Sequence, residues 1–126
     1  MFNDTVEVMT SVPAASTTVG WSFDVDGGPR LAAAVRSLLA ALAAPPDLLA
    51  LGEPTHAEPA FPRLRNKILD VLVQHGFRSI ALESDRVAAL TVDAFVQGGP
   101  GTLDAAMAEG FSHGLGQLDA NRELVA

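Results

Sequence analysis

Apolar positions recur at helical spacing in several stretches of this 126-residue chain, and proline or glycine bounds each stretch. The first stretch opens at Pro29 and continues until the proline pair at residues 45–46 ends it. A second begins near Pro59 and runs to about His75, where Gly76 is a favourable cap. These patterns predict two amphipathic helices that pack against a core.

The same criteria predict helices in the C-terminal part of the chain. Residues 85–97 carry an apolar face and end at a glycine cluster, Thr102 is expected to cap a short helix through Glu109, and residues 117–126 form the last helix. Residues 1–28 have no sustained period and predict an irregular lead-in with a short strand near residues 21–25.

Two short apolar runs, at residues 48–51 and 79–82, are bounded by structure-breaking residues and predict buried strands. The helix between them makes a βαβ unit, in which the two strands are parallel and adjacent. We therefore predict an α/β fold with a parallel βαβ core flanked by helices. Two strands are too few for a stable covered sheet, so residues 29–126 are expected to be an incomplete portion of a larger α/β domain. An uncovered sheet edge would favour oligomers.

Titratable residues follow both predicted strands, where α/β sheets bind ligands. Glu53 and His56 come after the first strand, and Glu83 comes directly after the second. At about 100° per residue, Arg65 lies about 40° from Phe61, inside the apolar stripe of its helix. An inward arginine needs a carboxylate partner, and Glu53 and Glu83 are the candidates at that edge.

Composition narrows the classes of protein to consider. The net charge is −7 with only 8 lysines and arginines, which argues against a nucleic-acid surface. The absence of cysteine excludes disulfides, thiolate metal sites and a cysteine nucleophile. No apolar run reaches membrane-spanning length, and the N-terminal residues lack a signal-peptide pattern. We therefore expect a cytoplasmic protein without a membrane or nucleic-acid partner.

Three segments together resemble the erythromycin esterase family. They read G-E-P-T-H at residues 52–56, L-R-N at residues 64–66 and G-F-R-S-I-A-L-E-S-D at residues 76–85, and the closing A-N-R-E-L-V-A fits the helix that follows in that family. The similarity extends from about residue 48 to residue 126. It implies hydrolysis of a small-molecule ester, typically a macrolide lactone, without a metal or other cofactor.

The resemblance also implies roles for individual residues. The family's catalytic histidine falls on His56, its nearby acid on Glu53, its arginine on Arg65 and its second-strand acid on Glu83. His56 would act as general base on water, Glu53 or Glu83 would orient its ring, and Arg65 would hold those carboxylates or stabilise the oxyanion. A further essential histidine of the family would lie beyond Ala126, so this chain would carry half of the site.

Three alternatives remain open at this point. Residues 110–114 read G-F-S-H-G, which matches the G-x-S-x-G nucleophile elbow and would make Ser112 a nucleophile, although no strand is predicted before it. A metal-dependent hydrolase could use oxygen and nitrogen ligands from Glu53, His56, Glu58 and His113. The chain could also be a non-catalytic or partner-dependent fragment.

Overall fold

The computed structural model describes residues 5–10, 19–24, 26–53, 55 and 58–126. Contacts divide the chain into two compact units, Met1–Phe77 and Arg78–Ala126. His56, the predicted general base, lies outside the described residues together with its neighbours Pro54 and Ala57.

The first unit contains an antiparallel hairpin. Strand β1 (Thr5–Thr10) pairs with strand β2 (Val19–Asp24), so that Thr5 lies opposite Asp24 and Thr10 opposite Val19. Side chains alternate along β2, as the period of a strand requires: Phe23 is buried and Trp21 packs against the core, whereas Ser22 is exposed. The strand predicted near residues 21–25 is therefore present, and it supplies one wall of the core.

Helix α1 spans Pro29–Ala41 and packs on this hairpin. Pro29 occupies its first turn, where a missing N–H group costs little, and Gly28 precedes it at a φ of 88°, which favours glycine. Leu31, Ala34 and Val35 form the buried face. The predicted helix is confirmed, and it ends at Ala41, before the proline pair.

Helix α2 spans Ala60–Gln74, as the sequence pattern predicts. Its end is a Schellman motif, because Gly76 N–H donates to Val73 O at 3.1 Å and Phe77 N–H donates to Leu72 O at 3.2 Å. Gly76 has a φ of 95°, a conformation that favours glycine. The core of this unit joins β2, α1 and α2 and consists of Phe23, Leu31, Ala34, Val35, Leu64, Val71 and Leu72.

The predicted parallel βαβ core is wrong. Residues 48–51 and 79–82 form no strand, and the pairing found among the described residues is the antiparallel β1–β2 hairpin. Leu49 packs against the core, but Leu48 is 80% exposed and Ile80 is 39% exposed. A short apolar run becomes a strand only where a neighbouring strand takes its N–H and C=O groups, and local sequence cannot supply that neighbour. The described chain is mainly helical, with five α-helices.

The second unit is built from three short helices: α3 (Ala89–Val96), α4 (Leu103–Glu109) and α5 (Asp119–Val125), with a 3-10 turn at Leu115–Gln117 before α5. The predicted cap of α4 is confirmed, since Thr102 Oγ1 accepts a hydrogen bond from Ala105 N–H at 3.2 Å. The helix predicted over residues 85–97 is regular only from Ala89 onward.

Asn121 is the buried polar residue of the second unit, at 2% exposure. Its side-chain Nδ2 donates to Leu115 O at 2.9 Å and so ties α5 to the 3-10 turn. The buried apolar residues of this unit are Ala106, Met107, Ala120 and Val125. The longest described helix, α2, has 15 residues, and none of the described helices combines the length and apolar character needed to cross a bilayer.

Candidate functional site

The predicted site residues lie in different parts of the chain. Glu53 is exposed in the segment before α2, Arg65 is half-buried on α2, and Glu83 is exposed in the loop that precedes α3 in the second unit. His56 belongs to the part of the sequence between Thr55 and Glu58 that is outside the described residues.

Arg65 and Glu53 interact electrostatically within the first unit. Partial burial lowers the pKa of Arg65, because desolvation disfavours the charged guanidinium, and the negative charge of Glu53 opposes this by raising it. A half-buried arginine with a carboxylate close enough to affect its pKa is an arrangement that can bind an anion or stabilise a developing one.

Asn66 orients the guanidinium of Arg65. Arg65 Nε–H and Nη2–H both donate to Asn66 Oδ1, at 3.2 and 2.9 Å. Arg63, two positions earlier on α2, is exposed, whereas Leu64 is buried. The helix therefore presents one arginine to water and holds the other partly against the protein, as expected from the apolar stripe.

In the second unit, the loop that carries Glu83 is bound to the segment around Ser112. Ser112 N–H donates to Ser84 Oγ at 3.0 Å, and the two hydroxyl oxygens are 3.3 Å apart. Asp85 N–H donates to Ser112 Oγ at 2.9 Å, and His113 Nδ1 is 2.9 Å from the same oxygen. This cluster joins residues that are 28 positions apart in the sequence, and no sequence motif predicts that they meet.

The geometry around Ser112 differs from a nucleophile elbow. An elbow places the serine on a strained turn between a strand and a helix, but the element before Ser112 is helix α4. The residue with positive φ is His113, at 55°, and not the serine. The first glycine of the motif has a packing role, since a Cβ at Gly110 would come within 2.2 Å of Val92 Cγ2.

Metal-ligand candidates are dispersed among the described residues. No group of three or more histidine, aspartate or glutamate side chains able to hold a metal ion occurs in the described ranges, which do not include His56. Glu53 and Glu58 belong to the first unit, and His113 belongs to the second.

Comparisons with models of protein families, with curated proteins and with solved structures found no match to this chain. The resemblance to erythromycin esterases thus remains a prediction from residues 52–56, 64–66 and 76–85.

Proposed function

We propose that this chain belongs to an esterase-type hydrolase that cleaves an ester or macrolide lactone with a water molecule activated by His56. The observation that carries the proposal is the half-buried Arg65, whose guanidinium is hydrogen-bonded to Asn66 and is under the electrostatic influence of Glu53. Glu53 belongs to the G-E-P-T-H segment, which precedes Arg65 in the sequence. The ordered motifs at residues 52–56, 64–66 and 76–85 support the same reaction class.

In this proposal, the neutral imidazole of His56 takes a proton from water while the water oxygen forms a bond to the ester carbonyl carbon. The tetrahedral intermediate then expels the alkoxide, which receives the proton from the imidazolium, and an acid and an alcohol result. The sequence resemblance assigns the role of orienting the imidazole to Glu53 or Glu83. Arg65 stabilises the oxyanion or holds a carboxylate, and both roles depend on its planar array of N–H donors.

The proposal assigns no cofactor, and its substrate is a small molecule. We also propose a cytoplasmic location, which fractionation of cells that express the full chain would test. Helix α2 supports Arg65 in this scheme, as the sequence pattern predicts.

The direct test of the arginine is turnover of a macrolide lactone and of aryl esters by the full chain, by Arg65→Lys and by Arg63→Lys. Lysine keeps the charge but loses the forked geometry, so Arg65→Lys should lower kcat/KM by about 10-fold or more. Arg63→Lys is the matched control on the exposed side of the same helix. Equal turnover by both variants would contradict the assigned role of Arg65.

In a second candidate function, this chain is active only when it assembles with another chain. It is favoured by the exposure of large apolar side chains in the segment before Glu53, where Leu48 is 80% and Leu51 is 45% exposed. Light scattering during size-exclusion chromatography distinguishes the two: a stable monomer that hydrolyses esters supports the first candidate, and an inactive oligomer supports the second.

A further inference from the structure

The loop before α3 contains Glu83, Ser84 and Asp85, and the structure ties this loop to Ser112. Ser84 Oγ accepts from Ser112 N–H at 3.0 Å, and Asp85 N–H donates to Ser112 Oγ at 2.9 Å. The two residues that directly follow Glu83 are therefore both held by one distant residue.

Ser112 Oγ lies within hydrogen-bond distance of three groups, namely Asp85 N–H, Ser84 Oγ and His113 Nδ1. Ser112 Oγ already accepts the Asp85 N–H, and a hydroxyl carries one proton and two lone pairs. Ser84 Oγ receives the Ser112 N–H and can donate its own proton across the 3.3 Å to Ser112 Oγ. His113 Nδ1 lies 2.9 Å from Ser112 Oγ, and the tautomer of the imidazole determines which of the two donates.

The segment that presents Ser112 is itself fixed. Leu115 N–H donates to Ser112 O at 3.0 Å, and Leu115 O accepts from the buried Asn121 side chain at 2.9 Å. Gly110 packs against Val92 with no space for a side chain. Ser112 is thus held on a rigid support, which a positioning residue requires.

The far end of the loop is also held. Asp85 Oδ1 accepts hydrogen bonds from the N–H groups of Val87 and Ala88, at 2.9 and 2.8 Å. These bonds satisfy N–H groups at the entrance to α3. The backbone at Ser84 and Asp85 is consequently fixed from both sides, while the side chain of Glu83 remains exposed.

We infer that Ser112 is a positioning residue that fixes the loop of Glu83 through Ser84 and Asp85, and that it does not act as a nucleophile. This inference rests on the proposed function, because it matters for turnover only if Glu83 takes part in the reaction. Loss of the Ser112 hydroxyl removes the acceptor of the Asp85 N–H group and leaves the Glu83 carboxylate with a less defined position.

The test is a double-mutant cycle on ester turnover by the full chain, with Ser112→Ala, Glu83→Gln and the double variant. Displacement of a catalytic group by about 1 Å can reduce the rate by up to about 100-fold, so Ser112→Ala should lower kcat by about 10-fold and change KM little. In the Glu83→Gln background the same substitution should cause no further loss, because the group that it positions is already inactive.

Two further variants separate positioning from general damage to the fold. Ser112→Thr keeps the hydroxyl and should restore kcat to within about twofold of the wild type. The control is Ser79→Ala, which changes an exposed serine near the start of the second unit and should leave kcat unchanged. Amide hydrogen exchange should become faster at Asp85 in Ser112→Ala, while the amides of α4 and α5 keep their protection.

The outcomes distinguish failure of the inference from failure of the proposed function. A wild-type chain without turnover, or a Glu83→Gln variant with normal turnover, overturns the proposed function and the inference together. If Glu83→Gln is impaired but the Ser112→Ala effect is absent or fully additive, only the positioning role is overturned. Complete loss of turnover in Ser112→Ala with no rescue by threonine overturns it as well.

Discussion

Arg65 is half-buried on α2, and the carboxylate of Glu53, twelve positions earlier in the sequence, interacts with it electrostatically. Burial lowers the pKa of the guanidinium and the carboxylate opposes that change. A partly buried charge contributes little to stability, so this position can be tested separately for its effects on stability and on activity.

This relationship predicts that Arg65→Met will separate stability from activity. Methionine fills a similar volume without a desolvation cost, so the free energy of unfolding should stay within about 1 kcal/mol of the wild type or rise, while ester turnover is lost. Urea unfolding and an ester assay on the same samples measure both quantities. Arg63→Met, on the exposed side of α2, is the control and should change neither. A large loss of stability with Arg65→Met would show that the arginine is structural.

Replacement of Asn121 tests how much its hydrogen bond to Leu115 O contributes to the stability of the second unit. Its amide is 2% exposed and donates to Leu115 O, so Asn121→Ala leaves a carbonyl without this partner and should cost about 1–3 kcal/mol in the free energy of unfolding. Gln117→Ala, on the exposed part of the same turn, should cost less than about 0.5 kcal/mol. Similar costs for the two variants in urea unfolding would contradict the role given to Asn121.

Glycine substitutions test the close contacts of the second unit. A Cβ at Gly116 would lie 2.0 Å from Met107 O, which is backbone and has little freedom to move, so Gly116→Ala should destabilise by about 1–3 kcal/mol. A Cβ at Gly52 meets no described atom within 4 Å, and Gly52→Ala should be neutral or stabilising by up to about 1 kcal/mol. Thermal unfolding of both variants checks the prediction, and a reversal of their order would contradict the described packing.

The helices were predictable because their signals are local. Pro29 at the start of α1, Thr102 at the cap of α4 and Gly76 after α2 each act on the turn in which they lie, and the structure has all three in those roles. The strand near residue 21 was also predicted, and the structure shows Trp21 and Phe23 of that strand on the side of the core.

The fate of the predicted parallel strands and the cluster around Ser112 both depend on contacts between distant residues, which local sequence patterns do not contain. Residues 48–51 are apolar enough for a strand, but a strand needs a lateral partner, and the described sheet is a separate hairpin. The Ser84–Ser112 contact joins positions 28 residues apart, and such a pairing depends on how the helices pack. The inward position of Arg65 could be predicted because it follows from the helical period and the apolar positions of α2.

Metal removal distinguishes the proposed mechanism from a metal-dependent hydrolase. If His56 activates water directly, dialysis against a chelator should leave kcat for ester hydrolysis unchanged, because no metal-bound water takes part in the reaction. Turnover should be compared before and after chelation at the same pH. Loss of activity that added Zn²⁺ restores would contradict a metal-independent mechanism.

The central claim is that His56 is the general base, and the most direct measurement is ester turnover by His56→Gln beside His75→Gln. Both changes replace an imidazole by an amide, but His75 is the exposed residue after the last turn of α2. General acid–base catalysis typically contributes about 100- to 10,000-fold, so kcat should fall by at least about 100-fold in His56→Gln and stay unchanged in His75→Gln. Turnover by His56→Gln at the wild-type rate would contradict the claim.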